Sequence, residues 1–456
     1  MYEDFPLTPR EGQLEFIDEV IKSIKSGSIL LIEAYNGLGK TIGVLYALTK
    51  TNSKGLIGVR TYEEASNYFH EAIRLKRTFP NVSLTVLLSK RSFCNNPHVS
   101  KLSNELFYKK CLEVAKKGEC KTSKDVVKKL LSASDFKEYV ELAMFKGCPF
   151  ANTFLTSFRT RHLVVTYPYL FSLHEKLGDL LKGRDVLIYD EAHNLINVVE
   201  ESISVISPTE LLKLSREYGD YKLKALYKHI IGVRRLPKRE LEDALWRLSE
   251  VLNVDVLLYK NEIFVRKRIN IFIKEPTVMM DGFIPYTVRE VVRNIVGDYE
   301  WVEIDSPESL KVKCFVVTDL TSKYDRREIN APTYREIVSL FSKISGRKCV
   351  FYCSNKFMKL VGTPENAIMP TKVFKVPNVD DYCIVDVIGG RVTEGSNVPF
   401  DNILILGFPY PEIDSKMKFL LDSLSDEYGR EFSRRFYEDI ALTKVIQALG
   451  RLTRTN

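Results

Sequence analysis

The sequence lacks the features that place a protein in or across a membrane. Its N-terminus, MYEDFPLTPR, has no cationic segment followed by an apolar one, as a secretory signal would have. No apolar run reaches the roughly 18 residues of a membrane-spanning helix. We therefore expect a cytoplasmic protein with no membrane partner.

Cysteine is scarce, with eight residues in the chain, and a protein inside the cell is not expected to use them as a disulfide scaffold. One group lies in or beside apolar, strand-like runs, where cysteine usually behaves as a small buried hydrophobic side chain. We expect core positions for this group, which comprises Cys314, Cys349, Cys353 and Cys383. The other four cysteines lie in a polar, Lys-rich stretch and are considered below.

Length and charge limit the number of domains and the kinds of partner to be expected. The chain has 456 residues, too many for one ordinary core, so two or more domains are expected. Hydrophobic residues make up 45% and charged residues 28%, as in a globular protein. The net charge of +8 permits a polyanionic partner without requiring one.

The stretch SILLIEAYNGLGKT, from Ser28 to Thr41, predicts a strand, a glycine-containing loop and the start of a helix. Such a loop turns backbone N–H groups toward a helix N-terminus and cradles the phosphates of a nucleotide. Lys40 would reach the β- and γ-phosphates, and the Thr41 hydroxyl would ligate Mg²⁺. The alternative is a chance glycine-rich turn. The loop residues expected at the ATP site are Ala34, Asn36, Gly37 and Gly39.

A second motif, VLIYDEAHN, places two acids after an apolar strand. Asp190 would hold Mg²⁺, and Glu191 would act as the general base toward the attacking water. His193 would sense the γ-phosphate or couple it to the other lobe. An isolated acid pair after a strand is usually a solvated turn. The nucleotide loop upstream makes the catalytic interpretation the stronger one.

Two further segments predict contacts of the same site. Arg10 and Gln13 precede an amphipathic run and would meet on one helical face at the adenine edge, although an ordinary helix start explains them equally well. Arg60 and Thr61 follow the short strand GLIGV and stand at a helix start. In a nucleic-acid motor, this position grips backbone phosphates.

Residues 92–150 form an insertion between the two ATP motifs. From Val99 to Gly147 it has eleven Lys against seven acids, a net charge of +4, which favours a nucleic-acid-facing lobe. Its cysteines follow the pattern C-x16-C-x8-C-x27-C, without the paired C-x2-4-C spacing of most zinc modules. A [4Fe–4S] cluster, a zinc ion and no ligand at all remain open from spacing alone. The four residues are Cys94, Cys111, Cys120 and Cys148.

The second half continues with a basic, helical segment from Leu195 to Lys274 and a second strand-helix series from Lys313. Alternating strands and helices predict an α/β fold with doubly wound parallel sheets. In the final helix, Gln447, Arg451 and Arg454 lie on one face. Guanidinium groups in this arrangement are typical of arginine fingers aimed at a γ-phosphate, and a basic helix face is the alternative.

Taken together, these motifs resemble the XPD family of superfamily 2 helicases, the iron–sulfur helicases of nucleotide excision repair. The resemblance rests on EAYNGLGKT, VRTYEEA, LLSKRSFC with GCPF, VVTYPYLF, IYDEAHN, VVTDLTSKYDRR, GGRVTEGSN, ILGFPYP and QALGRLTR, in order over nearly the whole chain. DEAH followed by Asn194, with four cysteines between the ATP motifs, is the most specific part. It makes a [4Fe–4S] cluster the favoured ligand of those cysteines.

The resemblance implies two RecA-like lobes with two insertions in lobe one, and ATP-driven 5′ to 3′ movement on single-stranded DNA. The domains expected are lobe one in residues 1–91, 151–199 and 275–312, an iron–sulfur domain in 92–150, a helical arch in 200–274, and lobe two in 313–456. Tyr167 and Tyr169 would contact DNA, and Glu394 to Asn397 would couple ATP to DNA. Forked duplex DNA and repair proteins are the implied partners of a nucleoid-associated monomer.

The sequence also departs from the family pattern. Asp281, Gly282 and Phe283 stand where the family has a Ser-Gly-Thr motif, Asn397 where it commonly has Asp, and the arch is short. The chain ends at Asn456, soon after the arginine motif, without the tail expected for the family. Because the ATP motifs are intact, a rival hypothesis is a diverged relative that binds ATP and DNA as a regulatory module with weak or no unwinding.

Overall fold

The computed structural model describes residues 2–101, 104–118, 120–171, 178, 183–252, 254–266, 271–307, 312–370, 379–392, 398 and 400–452. It divides into two compact units. The first comprises Met1–Ala192, Ile271–Ile284 and Val291–Lys311, and the second comprises His193–Asn270, Pro285–Glu290 and Val312–Asn456. Within the described residues, no helix has both the length and the apolar character needed to cross a membrane.

The secondary structure follows the alternation that the sequence predicts. The strands are β1 (Ile29–Ala34), β2 (Gly55–Val59), β3 (Leu84–Val86), β4 (His162–Thr166), β5 (Val186–Asp190), β6 (Ile203–Ile206), β7 (Asp255–Tyr259), β8 (Glu262–Arg266), β9 (Thr277–Asp281), β10 (Glu300–Ile304), β11 (Arg347–Tyr352), β12 (Tyr382–Val387) and β13 (Asn402–Leu406). The helices are α1 (Gln13–Ser26), α2 (Lys40–Lys50), α3 (Tyr62–Lys76), α4 (Asn104–Lys116), α5 (Lys124–Leu130), α6 (Phe136–Phe145), α7 (Pro149–Ser157), α8 (Pro168–Phe171), α9 (Leu195–Glu201), α10 (Pro208–Glu217), α11 (Tyr221–Ile230), α12 (Lys238–Leu252), α13 (Tyr286–Val296), α14 (Arg327–Ser342), α15 (Asn355–Val361), α16 (Ser415–Tyr428) and α17 (Arg430–Leu449).

The first unit is built on a parallel seven-stranded sheet with the order β10-β1-β9-β5-β2-β4-β3. Strands β2 and β5 are buried at every residue, as expected for parallel strands covered on both faces. Strand β9 lies between β1 and β5, and its Asp281 is paired with Glu33 of β1. The predicted α/β fold is therefore confirmed. Because parallel strands end at one edge, the nucleotide loop, the acid motif and Asp281 meet there.

The cysteine-containing insertion is anchored on the edge strand of this sheet. Tyr139 of α6 is fully buried, and its hydroxyl donates to the carbonyl oxygen of Val86 at 2.8 Å. The Leu88 amide donates to the Thr153 hydroxyl of α7 at 3.2 Å. Both contacts hold the insertion to the chain that leaves β3.

The second unit contains two separate sheets. Strands β12, β11 and β13 form a parallel sheet in that order, as the second strand-helix series predicts. Strands β6, β8 and β7 form an antiparallel sheet within the segment that the sequence presents as a helical arch. Helices α10, α11 and α12 share an apolar core with this sheet, including buried Leu211, Leu248 and Ile263. The segment is therefore helical only in part.

The β7–β8 hairpin is a feature that the helical interpretation of this segment does not include. Its two-residue turn places Lys260 and Asn261 at positive φ, 47° and 66°, the pair of left-handed residues that tight hairpins use. The run DVLLYKNEIFVR carries this signal, with apolar stretches on both sides of an Asn-containing turn. The basic residues around it favoured a helical interpretation instead.

One predicted strand and one predicted core cysteine are wrong. Residues 314–318 are in none of the sheets of the described structure, and Phe315 and Val316 are 88% and 79% exposed. Cys314 is exposed as well, whereas Cys349 and Cys383 are buried and Cys353 is partly buried. An apolar run becomes a strand only where a sheet edge supplies hydrogen-bond partners for its backbone, and sequence alone does not report such an edge.

Candidate functional site

The nucleotide loop has the geometry that its sequence predicts. Strand β1 ends at Ala34 and helix α2 begins at Lys40, so the loop opens a helix N-terminus. Gly37 and Gly39 have φ values of 94° and 87°, and a Cβ on Gly39 would lie 2.4 Å from Gln13 Nε2. Glycine is thus required at Gly39 by both backbone conformation and space. The first turn of α2 carries no acid, which leaves its positive dipole end free for phosphate.

Lys40 lies across this loop. Its ammonium group donates to the carbonyl oxygens of Ala34 at 2.8 Å and Tyr35 at 3.4 Å. These neutral acceptors are weaker partners for a cation than a phosphate. Thr41 follows in the first turn of α2, partly buried.

Gln13 is packed against the same loop. It is 2% exposed; its side-chain oxygen accepts from the Arg10 amide at 3.0 Å, and its Nε2 donates to the Gly39 carbonyl at 3.3 Å. Arg10 is exposed. Asn36 lies beside Gly282, where a Cβ would approach its Oδ1 to 2.9 Å. The predicted adenine-side residues therefore lie next to the nucleotide loop.

The acid motif closes the site at the end of β5. Asp190 is 7% exposed, and its Oδ1 accepts from the Glu191 amide at 3.0 Å. Glu191 has a positive φ of 55°, an uncommon conformation for this residue type that often marks functional sites. Burial raises the pKa of Asp190, and Glu191 raises it further, while Lys40 opposes the shift. The influence of Lys40 on Asp190 agrees with the sheet order, which brings the two ATP motifs to one edge.

Asp281 brings a third carboxyl group to this edge. One of its oxygens lies within 4.8 Å of a Glu191 oxygen. Its Oδ1 also accepts from the amides of Gly282 at 2.6 Å and Phe283 at 3.3 Å. The carboxylate thus stabilises the turn at the position where the resemblance leads one to expect hydroxyl side chains.

The predicted phosphate grip lies at the end of the neighbouring strand β2. Thr61 caps α3, and its Oγ1 accepts from the Glu64 amide at 3.2 Å. The Glu64 carboxylate accepts in return from the Arg60 amide at 2.8 Å and the Thr61 amide at 3.4 Å. This capping box, visible in the sequence as Thr-x-x-Glu, leaves Arg60 and Thr61 exposed.

Unlike Arg60 and Thr61, the two tyrosines expected to contact DNA are buried. Tyr167 and Tyr169 are only 5% and 6% exposed. The Tyr167 hydroxyl donates to the backbone carbonyls of Asp190 and Glu191, the latter at 3.1 Å. The Tyr169 ring stacks on Phe150 at 6.3 Å between centroids. Neither ring presents a face for a DNA base, so the exposed DNA-binding candidates in this unit are Arg60 and Thr61.

The loops that carry Cys120 and Cys148 are held together before any ligand is considered. The Cys148 amide donates to the Lys121 carbonyl at 3.1 Å. Asn152, fully buried on α7, accepts from the Ser123 amide at 3.1 Å and donates to the Lys146 carbonyl at 2.8 Å. Asn152 is thus a supporting residue of this site that sequence reasoning missed, although it stands one helical turn after Cys148.

The four insertion cysteines converge. Cys94, Cys111 and Cys120 pack against one small apolar cluster, which contains Val99, Phe107 and Val114. Burial raises the pKa of the Cys120 thiol, and the charges of the other three cysteines raise it further. Nearby Lys90 opposes the corresponding shift at Cys111. The four cysteine side chains are therefore close enough to influence one another, and three of them pack against the apolar cluster.

The separation of the sulfurs distinguishes the possible ligands. A tetrahedral zinc site with Zn–S bonds of about 2.3 Å requires sulfurs about 3.8 Å apart. Among the described residues, no three cysteine sulfurs lie within 4.8 Å of one another. Three of these sulfurs are therefore not arranged at the spacing of a tetrahedral zinc site in the part of the chain that the structure describes.

In the second unit, Gln447 and His193 form one contact. Gln447 Nε2 lies 2.5 Å from His193 Nε2, and His193 is 4% exposed. Arg451 lies just beyond the end of α17 and is 6% exposed. Arg454 and Glu394 to Asn397 lie outside the described residues.

Comparison with known proteins agrees with this organisation. The family profile DEAD_2 matches residues 57–211, and the Helicase C-terminal domain matches residues 365–456. The chain is similar to the ATP-dependent DNA helicase XPD of Sulfolobus acidocaldarius, at 23% identity over 98% of this chain and 93% of that protein. The chain therefore belongs to the XPD family of helicases.

Another relative and two solved structures are also similar to the chain. The XPD subunit of general transcription and DNA repair factor IIH from Dictyostelium discoideum is 23% identical over 52% of this chain and 34% of its own length. A solved structure titled XPD helicase superimposes with a TM-score of 0.66 at 18% identity, covering 98% of this chain and 93% of that one. The Xpd4 structure of S. tokodaii gives 0.58 at 17% identity, with coverage of 98% and 93%. At these identities, the structures support the fold.

Proposed function

We propose that the chain is an ATP-dependent 5′ to 3′ DNA helicase that couples hydrolysis of Mg-ATP to movement on single-stranded DNA and to unwinding of forked duplexes. The observation that carries the proposal is the meeting of Lys40 with the acid pair Asp190 and Glu191 at one sheet edge. Arg60 and Thr61 stand at the end of the adjacent strand β2. An ATP site and a phosphate grip are thus built on neighbouring strands.

Each ATP-site residue has a defined role in this proposal. Lys40 releases the carbonyls of Ala34 and Tyr35 and neutralises the β- and γ-phosphates. Thr41 and Asp190 hold Mg²⁺, which would supply charge neutralisation at the reacting phosphate. Glu191 accepts the proton of the attacking water.

The second unit supplies the remaining expected groups. Gln447 holds His193 by direct contact and so presets the orientation of a γ-phosphate sensor. Arg451 and Arg454 stay predictions as arginine fingers. The contact supports His193 and Gln447 acting as a pair, since removing Gln447 takes this partner from the buried His193.

For the insertion, we propose that Cys94, Cys111, Cys120 and Cys148 hold a [4Fe–4S] cluster. The cluster would supply a covalent cross-link among four points of a helical insertion: Cys111 on helix α4 and three cysteines in loops or at a helix start. Asn152 and the amide of Cys148 preset two of those loops, as their hydrogen bonds indicate. The Lys-rich surface of the insertion would face DNA.

The test is ATP hydrolysis by anaerobically purified protein with and without single-stranded DNA, alongside unwinding of a 5′-tailed duplex. Lys40→Ala should abolish DNA-stimulated hydrolysis, because no other group replaces its charge at the phosphates. Lys25→Ala, an exposed lysine on α1, is the matched control and should behave as wild type. Persistent hydrolysis in Lys40→Ala would contradict the assignment of the ATP site.

The rival function, a regulatory ATP- and DNA-binding module, is favoured by one observation. Asp281 places a carboxylate within 4.8 Å of Glu191, at the position where the family has a hydroxyl-containing coupling motif. Stimulated hydrolysis without strand separation would favour this rival, and brisk unwinding would eliminate it. Under either function, we propose a monomeric, nucleoid-associated protein that works with repair proteins.

A further inference from the structure

Tyr68 of α3 is a buried residue that the functions above do not use. Its side chain is fully buried, and its hydroxyl has no formed hydrogen bond among the residues that the structure describes. Burial raises the pKa of this phenol well above its usual value, and the neighbouring Asp190 carboxyl raises it further. The hydroxyl therefore lies beside the Asp190 carboxyl without a well-formed hydrogen bond.

An unsatisfied buried hydroxyl costs free energy, so its retention beside the Asp190 carboxyl calls for a partner in another state of the site. When Asp190 is ionised and holds Mg²⁺, its second oxygen is an acceptor of the kind that a phenol pairs with. We propose that Tyr68 is a positioning residue of the ATP site, which donates to Asp190 when Mg-ATP is bound and links that site to Arg60 and Thr61 through helix α3. This inference rests on the proposed ATP and DNA sites and deepens them.

The neighbouring Tyr167 does not orient the Asp190 carboxylate, because its hydroxyl binds the backbone. Its hydroxyl donates to the backbone carbonyls of Asp190 and Glu191, so it sets the course of the main chain at the acid motif. Tyr68 faces the Asp190 side chain instead. The two tyrosines thus act on different parts of the same residue, and of the two it is Tyr68 that lies beside the carboxylate.

Helix α3 makes the connection to the phosphate grip. Glu64, in its first turn, binds the amides of Arg60 and Thr61. Tyr68 follows one helical turn later on the same face. Both residues respond to the acids, because Glu191 raises the pKa of Glu64 and Asp190 raises that of Tyr68. A phosphate bound at Arg60 and Thr61 would shift the helix end, and Tyr68 would transmit this shift to Asp190.

The test compares two tyrosine-to-phenylalanine variants. Tyr68→Phe removes the hydroxyl proposed to orient Asp190. Tyr139→Phe removes an equally buried hydroxyl in the same unit, one that donates to the Val86 carbonyl on edge strand β3. ATP hydrolysis is measured against free Mg²⁺ and against oligothymidylate, and Mg²⁺-dependent binding of a fluorescent ATP analogue is measured without turnover.

For Tyr68→Phe, we expect the Mg²⁺ concentration at half-maximal effect to rise about tenfold in both measurements, as is typical on loss of a residue that supports a metal ligand. Stimulation by oligothymidylate should fall, while affinity for the oligonucleotide, measured by fluorescence anisotropy, stays at the wild-type value. Thermal stability should not fall, because the lost hydroxyl had no formed bond. Tyr139→Phe should lower thermal stability and leave Mg²⁺ dependence unchanged.

Two results would overturn the inference: wild-type Mg²⁺ dependence in Tyr68→Phe, or the same Mg²⁺ shift in Tyr139→Phe. Failure of the proposed function has a different signature. If wild-type protein shows no DNA-stimulated hydrolysis, the helicase proposal fails, while analogue binding still decides whether Tyr68 supports the Mg²⁺ site.

Discussion

Phe264 of strand β8 stacks on Phe419 of helix α16, with ring centroids 4.5 Å apart and planes 20° from parallel. Tyr259 adds a tilted ring contact to Phe419 at 5.5 Å and donates its hydroxyl to Asp422 at 3.1 Å. Arg266 pairs with Glu427 beside them. The β6–β8–β7 sheet is thus joined to helix α16 by an aromatic contact, which polar and charged pairs flank. Both elements belong to the second unit.

Phe419→Ala should weaken this junction strongly. The ring is 8% exposed, and truncation of a buried Phe costs about 3 to 5 kcal/mol through lost burial and an unfilled cavity. Thermal unfolding and limited proteolysis of the segment around residues 203–266 would report the loss. Phe315→Ala, at a position 88% exposed, is the matched control and should change neither measurement. Equal effects of the two variants would contradict the packing described here.

The Arg266–Glu427 pair should behave as a partly exposed ion pair. Its side chains are 35% and 42% exposed, so solvent screening limits its contribution to about 0.5 kcal/mol. Arg266→Glu and Glu427→Arg should each lower the unfolding midpoint slightly, and the double variant should restore it. A double variant less stable than either single one would show that the two charges do not interact.

Gly147→Ala should disrupt the cysteine site. Gly147 has a φ of 84°, and a Cβ there would lie 2.1 Å from the Lys121 carbonyl oxygen, the acceptor for the Cys148 amide. Gly118→Ala is the matched control, since its φ is 73° but its Cβ would meet nothing closer than 3.9 Å. Iron and acid-labile sulfide per chain should fall in Gly147→Ala and stay near the wild-type value in Gly118→Ala. Full iron content in Gly147→Ala would show that the loop contact is dispensable.

The buried His162 should lower the free energy of unfolding of the first unit as the pH falls. Burial lowers its pKa to about 3, and its Nδ1 accepts from the Gly55 amide at 3.2 Å. Below the unfolded value of about 6.5, the unfolded chain binds a proton that the folded chain does not. The free energy of unfolding therefore falls as the pH falls from about 6.5 toward 3, by about 3 kcal/mol at pH 4.

His162→Asn keeps an acceptor for Gly55 and removes this proton uptake. Chemical unfolding at pH 7 and pH 4 should show a smaller loss of stability in this variant than in wild type. His70→Asn, at an exposed position, should retain the wild-type loss. An unchanged pH dependence in His162→Asn would mean that other groups control acid stability.

The local parts of the site were predictable from the sequence. The nucleotide loop, the acid motif and the capping box at Thr61 each depend on contiguous residues, whose turn and helix-start chemistry acts over a few positions. The parallel α/β fold was equally readable, because unbroken apolar strands alternate with amphipathic helices. The β7–β8 hairpin also has a local signal, the Lys260–Asn261 turn between two apolar stretches.

Other features were decided by the tertiary structure. The sequence marks Tyr167 as a DNA contact, but packing turns its hydroxyl onto the acid motif. It also marks Cys314 as a core residue, but none of the described sheets covers it. Nothing in the spacing of Tyr68 and Asp190 shows that they face each other. Local sequence sets backbone conformation and polarity, whereas the partner of a side chain depends on which strands and helices pack together from distant parts of the chain.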